Sequence, residues 1–376
     1  MLVIGLMSGT SLDGVDACLV NITKENNLFK YEQVGFVFVP YENELKNKIM
    51  EVSKLDTSNV QKICSLNYEL GFVYSDAVTK LLDKHNIDPN KIEFIAMHGQ
   101  TIWHNPNNMD NYYSSTLQIG EPSVLAYKFN TLVISNFRTM DISAGGSGAP
   151  LVPFVNYALY KSNEKNVAFQ NIGGIGNVAY IPKNSSAKDV VAFDTGPGNM
   201  LIDEAMKVLF NKPYDESGNI ALKGKVNEEV LKYLMKDEYL DLPYPKSTGR
   251  EKYSKEFLNV ILEKMKDEPK ENVISTITAY TADTISYAYM KFLKEVDEMI
   301  LSGGGSYNKF IIKRLKEKLN IPIIIHTESD SYEAFCFAVL GHYTYMREPS
   351  NMTSVTGAEC EVILGNFTYP PRKKDD

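Results

Sequence analysis

Short apolar runs alternate with clusters of small polar residues in the first half of the chain. The runs LVIGL, VDACLVNI and EQVGFVFVPY predict a β-hairpin followed by a third strand. Apolar residues then recur every three or four positions in ENELKNKIMEVSK and in 58–86, which predicts two helices, the second capped by Ser58. IEFIAMHG and TLVISNF are short runs typical of buried strands, and a polar cluster follows each. Polar residues at strand ends predict a ligand site at the carboxyl ends of the strands in an open α/β sheet.

The second half of the chain repeats this plan without repeating the residues. NVAFQN, NVAYIP and VVAF predict strands, with a glycine-rich reversal between the first two. A strand and a helix follow in DTGPGNMLIDEAMKVLF, and long helical patterns occupy VISTITAYTADTISYAYMKFLKEV and SYEAFCFAVLGHYTYM. EMILS and IPIIIHT are further strands. We therefore expect two α/β domains around a shared cleft, an N-terminal one of residues 1–136 and a C-terminal one of 137–351, with 352–376 packing back on the first.

Composition and charge narrow the class of protein. The 376 residues are 44% hydrophobic and 23% charged, which is typical of a globular protein. A formal net charge of −8 argues against nucleic acid or an anionic membrane as the main partner. The four cysteines form no C-x-x-C pair, and no apolar run approaches the ~20 residues of a membrane span. The expected location is the cytoplasm.

The turn at Met7 to Asp16 has two interpretations. It is a plain tight hairpin, or its amides and hydroxyl groups hold phosphate oxygens without a cation of their own. In the second case an acidic residue such as Asp13 suits a Mg²⁺ ion beside the phosphates. The chain has no P-loop motif, and the G-x-G-x-x-A match at Gly174 continues as a strand where a dinucleotide site needs a helix.

The segment VVAFDTGPGNMLIDEA carries the sharpest candidate for catalysis. Asp194 follows an apolar strand, Gly196 and Gly198 keep the approach to it open, and Pro197 suits the start of a helix. A carboxylate there is placed for general-base catalysis, and the helix dipole would keep it ionised. The alternative is that Asp194 only caps the helix.

The segment HGQTIWH offers substrate contacts or a metal site. Thr101 and its polar neighbours could bind a polar substrate. His98 and His104 could instead bind a metal, although their spacing gives no shared helical face.

Three other clusters also have two interpretations each. Arg138 and Asp141 form either a structural ion pair or part of a site. Lys246 and Arg250 flank a Thr-Gly turn that is either a surface loop or functional. Glu333, early in an apolar helix, either complements the helix dipole or binds a ligand.

Taken together, the motifs resemble one family. GLMSGTSLDGVDA, HGQT, FRTMDISAGGSGAPLVP, QNIGGIGNV, FDTGPGN, KSTGRE, SGGGSYN and SVTGAE occur in the order found in anhydro-N-acetylmuramic acid kinases, from Ile4 to about Leu364. The resemblance implies the α/β, actin/hexokinase-like (ribonuclease H-like) fold, a duplicated two-domain ATPase fold with a central cleft.

The resemblance also implies cofactors and site residues. ATP and Mg²⁺ are the expected cofactors, Asp194 matches the catalytic carboxylate and Asp13 would face the metal. Sugar contacts are implied for Thr101, Arg138 and Glu333. The implied ATP-binding residues are Gly9, Thr10, Ser11, Leu12, Asp13, Gly14, Val15, Asp16, Gly196, Gly303, Gly304 and Gly305. Asn136, Ser147 and Gly176 depart from the family's usual residues.

The implied reaction opens the 1,6-anhydro ring of 1,6-anhydro-N-acetylmuramic acid with water and phosphorylates its 6-oxygen, in cell-wall sugar recycling. Two alternatives remain: a kinase for another anhydro-sugar such as levoglucosan, and a non-catalytic nucleotide-dependent regulator of the same fold. The implied partners are the sugar and ATP, with neither nucleic acid nor membrane, and a homodimer is expected from the family alone.

Overall fold

The computed structural model describes residues 1–25, 28–106, 111–326 and 331–372. The chain divides into two compact units, Met1–Val155 with Ser331–Asp376, and Asn156–Asp330. This division lies later than the predicted boundary at 136/137 and earlier than the one at 351/352. Of the predicted C-terminal segment 352–376, residues 373–376 lie outside the described residues.

The strands and helices are numbered along the chain. The strands are β1 (Leu2–Ser8), β2 (Gly14–Glu25), β3 (Leu28–Pro40), β4 (Ile92–Asn105), β5 (Ser115–Ile119), β6 (Leu132–Ser135), β7 (Val167–Ile172), β8 (Ile175–Ile181), β9 (Val191–Pro197), β10 (Glu298–Ser302), β11 (Ile323–Ile325) and β12 (Asn366–Thr368). The helices are α1 (Asn43–Val52), α2 (Val60–His85), α3 (Pro122–Phe129), α4 (Thr139–Ser143), α5 (Val152–Tyr160), α6 (Met200–Phe210), α7 (Glu228–Leu234), α8 (Lys255–Lys264), α9 (Lys270–Phe292), α10 (Lys309–Leu319), α11 (Tyr332–Tyr345) and α12 (Thr353–Thr356).

Most predicted elements are present, with differences at their ends. Asn59 caps α2 by accepting a hydrogen bond from the Lys62 amide, so the predicted cap at Ser58 is wrong. The cluster HGQTIWH was expected to follow a strand, but β4 continues through it because its second half pairs with β5. No helix within the described residues is long and apolar enough to cross a membrane.

The two units contain sheets of the same topology. In the first unit the order is β12-β6-β4-β1-β2-β3, with β5 paired to β4. In the second unit it is β11-β10-β7-β8-β9. In both, three antiparallel strands form a meander whose first strand is parallel to the next strand of the sheet. This repeat confirms the predicted duplicated ribonuclease H-like fold.

Each sheet is buried against helices of its own unit. Ile4, Val15 and Leu70 represent the core of the first unit, where β1 and β2 pack against α2. Helix α11 also packs on β1, and a Cβ at Gly5 would lie only 1.9 Å from the carbonyl oxygen of Ala334. This close contact needs glycine at position 5. Helix α11, which carries Glu333, belongs to the first unit. In the second unit, α9 is buried along most of its length.

Candidate active site

Hydrogen bonds fix the main chain of the turn between β1 and β2, whereas several of its side chains are exposed. The Leu12 amide donates to the Gly9 carbonyl (3.3 Å), and the Gln100 side-chain amide donates to the same oxygen (3.2 Å). The Tyr41 amide donates to the Asp13 carbonyl (2.9 Å). The exposed residues of the turn are Thr10, Ser11 and Asp13. The turn therefore presents two hydroxyl groups and one carboxylate on a fixed main chain.

The next three residues of the predicted phosphate loop form the start of β2. Val15 is fully buried in the core, so its side chain is not available to a ligand. A Cβ at Gly14 would lie 2.2 Å from the Val39 carbonyl oxygen, which explains the glycine. Asp16 pairs with Met7 across the hairpin.

Arg138 is held by a histidine and a carbonyl group. Its Nε donates to Nε2 of His98 (2.9 Å), and its Nη1 donates to the Gly148 carbonyl (2.7 Å). Since His98 accepts through Nε2, its proton lies on Nδ1. Burial, together with the charge of Arg138, lowers the pKa of His98 to about 3, so the imidazole stays neutral. Sequence reasoning missed this pairing because the two residues lie on separate elements.

The metal-site interpretation of the two histidines is wrong. His98 uses Nε2 for Arg138, and Nδ1 of His104 lies 3.1 Å from the Thr116 hydroxyl. Across 1–25, 28–106, 111–326 and 331–372, no group of three His, Cys, Asp or Glu side chains could hold a metal ion.

The ion-pair interpretation of Asp141 is also wrong. Its carboxylate is buried and accepts hydrogen bonds from the Gly148 amide (2.7 Å), the Asn351 side-chain amide (2.8 Å) and the Thr356 hydroxyl (2.8 Å). Asp141 thus shapes the loop whose Gly148 carbonyl accepts a hydrogen bond from Arg138.

Glu333 lies in the first turn of α11 and interacts electrostatically with Arg138. Although part of Glu333 reaches solvent, desolvation by the surrounding protein raises the pKa of its carboxyl, and the charge of Arg138 opposes this rise. Desolvation lowers the pKa of Arg138 to about 10, and Glu333 opposes that change. Thr101 lies on β4, where its hydroxyl accepts from Gln118 of β5 (3.2 Å).

In the second unit, three hydrogen bonds fix Asp194. Its amide donates to the Lys246 carbonyl (3.1 Å), its carbonyl accepts from the Tyr239 hydroxyl (2.9 Å), and its Oδ2 accepts from the Thr248 amide (2.9 Å). Burial raises the pKa of Asp194 to about 6; the Thr248 amide opposes the rise and Glu251 adds to it. The carboxyl therefore titrates close to neutral pH.

The alternative interpretation of Asp194 as a helix cap is wrong, and so is one detail of the general-base prediction. The residue lies within β9, and α6 begins only at Met200 with Asn199 in the capping position, so Asp194 is not a helix cap. The helix dipole does not dominate its ionisation either, because loss of hydration moves its pKa in the opposite direction.

The turn after β10, which contains Gly303, Gly304 and Gly305, packs against the end of β7. Gly303 has a φ of 78°, and a Cβ there would lie 2.5 Å from Oδ1 of Asn171. A Cβ at Gly305 would lie 2.3 Å from the Ile172 side chain, whereas Gly304 is exposed. The turn after β10 thus needs glycine for close packing, and it leaves main chain accessible at Gly304.

Two further glycines, Gly196 and Gly198, follow Asp194. Gly196 has a φ of 136°, which favours glycine, and it packs against Thr284 of α9. The Gly198 amide donates to the Gly174 carbonyl (2.9 Å), which fixes the start of α6. These contacts hold the main chain on the carboxyl side of Asp194.

Lys246 lies on a largely exposed loop, as one interpretation predicted, but its ammonium is half-buried. It donates to the carbonyls of Tyr239 (3.2 Å) and Leu240 (3.0 Å) and lies 4.5 Å from the centre of the Phe292 ring. Arg250 is exposed, as a surface loop would have it.

Local geometry accounts for the three residues that depart from the family pattern. Asn136 is exposed and has a φ of 59°, a conformation that asparagine tolerates. Ser147 donates to the Ala149 carbonyl (2.6 Å). A Cβ at Gly176 would lie 2.7 Å from the Thr195 hydroxyl, so this chain needs glycine or a shift of that side chain.

Comparison with known proteins gives a family and a set of relatives. A family model described as anhydro-N-acetylmuramic acid kinase matches residues 1–370. Proteins of that name from Bacillus cereus (strain ATCC 10987 / NRS 248) and Bacillus thuringiensis subsp. konkukian (strain 97-27) are 48% and 46% identical to this chain, and each alignment covers 99% of this chain and 100% of the relative. Among solved structures, ligand-bound xylulose kinase from Lactobacillus acidophilus has a TM-score of 0.47 at 10% identity, covering 98% of this chain and 94% of its own. The activator of 2-hydroxyisocaproyl-CoA dehydratase from Clostridium difficile with bound ADPNP has a TM-score of 0.46 at 14% identity, covering 90% and 93%.

Proposed function

The chain belongs to the anhydro-N-acetylmuramic acid kinase family, and on this premise we propose that it is an ATP-dependent phosphotransferase with an alcohol group as acceptor. Its substrate is 1,6-anhydro-N-acetylmuramic acid, and its products are N-acetylmuramic acid 6-phosphate and ADP. The reaction belongs to the recycling of cell-wall sugars. The observation that carries the proposal is the fixed, partly buried carboxylate of Asp194.

Asp194 acts as the general base in this proposal. Water attacks the anomeric carbon and gives its proton to Asp194, while the bond from that carbon to the 6-oxygen breaks. The 6-oxygen bonds to the γ-phosphorus of ATP, and ADP leaves with the bridging oxygen. A base is most effective when its pKa lies near the working pH, so the rise of the Asp194 pKa to about 6 favours this role.

Arg138, Thr101 and Glu333 bind the sugar. The guanidinium carries five N–H donors, and His98 and the Gly148 carbonyl use two of them. These two bonds orient the group, so that the other donors can face oxygen atoms of a ligand. The nearby charge of Glu333 supplies an acceptor for sugar hydroxyl groups.

The nucleotide is bound by main chain and hydroxyl groups. In the first unit, the residues that contact the phosphates are those of the turn and the start of β2, Gly9 to Asp16. In the second unit, Gly196, Gly303, Gly304 and Gly305 bring main chain close to the nucleotide.

Asp13 fits a Mg²⁺ ion because it is an exposed carboxylate on an anchored turn. Mg²⁺ in kinases usually binds one or two carboxylates together with phosphate oxygens and waters, so one protein ligand is sufficient. The bound ion would neutralise charge on the phosphoryl group during transfer. The turn itself contributes hydroxyl groups at Thr10 and Ser11.

Cytoplasmic location and a homodimer are part of the proposal. None of the four cysteines forms a disulfide, which agrees with a reducing compartment that also supplies ATP. The dimer follows from the family alone.

An ADP-release assay tests this function. Three parallel reactions contain 1,6-anhydro-N-acetylmuramic acid, levoglucosan or no sugar, each with ATP and Mg²⁺, and the phosphorylated product is identified by ³¹P NMR. We expect rapid ADP release and a 6-phosphate only with the first sugar. Faster turnover of levoglucosan would replace the substrate assignment, and ADP release that does not depend on sugar would contradict the kinase.

A further inference from the structure

We propose that Lys246 is a positioning residue for Asp194: its half-buried ammonium fastens the segment 246–248, whose main chain orients the carboxylate. The proposal rests on the proposed function, since Asp194 is the base of that reaction. It concerns the second unit alone, where all the residues involved lie.

The ammonium of Lys246 is held on several sides. Its Nζ lies 4.5 Å from the ring centre of Phe292, 4.8 Å from that of Tyr239 and 5.6 Å from that of Phe193. It also donates hydrogen bonds to the carbonyls of Tyr239 and Leu240. Aromatic faces and carbonyl oxygens both stabilise a cation, so this environment favours a lysine at one defined place.

The main chain of the same segment binds Asp194. The Lys246 carbonyl accepts from the Asp194 amide (3.1 Å), and the Thr248 amide donates to Oδ2 (2.9 Å). Strand β9 is an edge strand of its sheet. These hydrogen bonds therefore lie on the side of β9 that pairs with no other strand within the described residues. Tyr239 closes the arrangement, because its ring contacts the ammonium while its hydroxyl donates to the Asp194 carbonyl.

The surrounding charges shift the pKa of Lys246 in opposite directions. Burial and the neighbouring Lys291 lower the pKa of Lys246 to about 8, while Asp241 and Asp237 oppose the change. Asp237 also pairs with Lys252 (2.8 Å). Lys246 is therefore mostly protonated at neutral pH.

Around Asp194 itself, the Thr248 amide favours the ionised carboxylate, and Glu251 disfavours it. The Tyr239 hydroxyl, which contacts the Asp194 carbonyl, stays protonated because burial raises its pKa. Removing Lys246 would release the segment and loosen the hydrogen bond from the Thr248 amide to Oδ2. Loss of that bond favours the protonated, inactive form of Asp194.

The test compares Lys246→Met with Lys291→Met. Lys291 also lies beside the Phe292 ring, at 5.5 Å, but it is not part of the segment that binds Asp194, so its variant removes a nearby charge and leaves the anchor. The measurement is kcat/KM between pH 5 and 8.5. We expect Lys246→Met to move the acid limb upward by about one pH unit, with a roughly tenfold loss below pH 6 and little loss at pH 8, and Lys291→Met to move it by less than ~0.3 unit. The proposal would be overturned if the acid limb of kcat/KM did not move in Lys246→Met, or if it moved equally in both variants.

A second measurement does not depend on turnover. The pKa of Asp194 follows from the pH dependence of the difference in unfolding free energy between the protein and Asp194→Asn, and the same pair is then measured with Lys246→Met in both members. A higher pKa with Lys246→Met supports the anchor, and an unchanged pKa refutes it even if the proposed reaction proves wrong. Lys246→Arg, which can still donate to both carbonyls, should restore the original value; failure to differ from Lys246→Met would contradict the anchoring role. If Lys246→Met does not fold, Lys246→Gln replaces it with the same expected direction.

Discussion

The two units share one sheet topology, yet they use the turn between the first two strands in opposite ways. In the first unit, the turn after β1 leaves the side chains of Thr10, Ser11 and Asp13 exposed. In the second unit, the corresponding turn is Gly173–Gly174, whose carbonyls accept hydrogen bonds from the amides that open α6. One turn exposes polar side chains, and the carbonyl groups of the other hold the start of α6.

This difference separates the turn proposed to bind phosphate from the turn that supports the segment of the proposed base. Because the second turn holds the start of α6, it also fixes the residues that follow Asp194 in β9. The first turn has polar side chains at the same topological position, where the proposed function places phosphate and Mg²⁺. A duplicated fold thus offers two equivalent turns, and the proposed function places the phosphates at the one with exposed polar side chains.

The largest expected effect is loss of the base in the second unit. Asp194→Asn should lower kcat by about 10²–10⁴-fold, because the amide cannot accept the proton of water. ATP binding, measured by calorimetry, should persist. The assay is sugar-dependent ADP release at pH 7.5.

Asp203→Asn is the matched control for this variant. Asp203 is an aspartate of the same unit, on α6, and burial likewise raises its pKa to about 6. Its variant should stay within about threefold of the unaltered protein. Activity of Asp194→Asn at the level of this control would show that Asp194 is not the base.

The next effect distinguishes the two turns directly. A Cβ at Gly198 would lie 2.3 Å from the Gly173 carbonyl oxygen, so Gly198→Ala should lower the free energy of unfolding by about 1–3 kcal/mol. A Cβ at Gly9 would meet nothing closer than the Ser11 hydroxyl at 3.5 Å, so Gly9→Ala should change stability by less than about 0.5 kcal/mol.

Gly9→Ala should nevertheless raise KM for ATP several-fold, because the added methyl group stands in the turn proposed to bind phosphates. Urea unfolding and steady-state kinetics measure the two effects. If Gly9→Ala is unfolded, or if it leaves KM unchanged, the turn of the first unit is structural like that of the second.

Acid pH provides a smaller effect with a defined sign. Since the pKa of Asp194 is about 6, kcat/KM should fall tenfold per pH unit below that value. The raised pKa has the opposite consequence for stability: the folded protein holds this proton more tightly than the unfolded chain does, so the contribution of Asp194 to stability is lost as pH rises from about 4 to 6. Asp194→Asn should remove that part of the pH dependence of unfolding. An identical pH profile of stability in both proteins would contradict the shifted pKa.

The strands and helices were largely predictable because burial of one face leaves a periodic record in the sequence. The hairpin of β1 and β2, the long helix α2 and the strand–turn–helix around Gly303 all follow from such patterns. Their ends were less predictable, because the extension of β4 depends on pairing with β5 rather than on its own residues.

The site was predictable as a set of residues and not as a set of contacts. Motifs indicated Arg138 and Asp194, but their partners lie far along the chain: His98 for Arg138, and the segment of Lys246 and Thr248 for Asp194. No local pattern reports such long-range hydrogen bonds. The raised pKa of Asp194 was missed for the same reason, since burial is produced by the folded unit and not by neighbours in sequence.

The smallest expected effect refines the environment of the base. Glu251 is exposed, and its charge contributes to the raised pKa of Asp194. Glu251→Gln should therefore move the acid limb of kcat/KM to lower pH by a few tenths of a pH unit. High salt should reduce this difference between the variant and the unaltered protein, because it screens the charge of Glu251. Glu263→Gln removes an equal charge from α8, where Glu263 pairs with Lys266, and it should leave the limb in place. A limb that moves equally in both variants would mean that net charge, rather than the position of Glu251 beside Asp194, sets the proton affinity of the base.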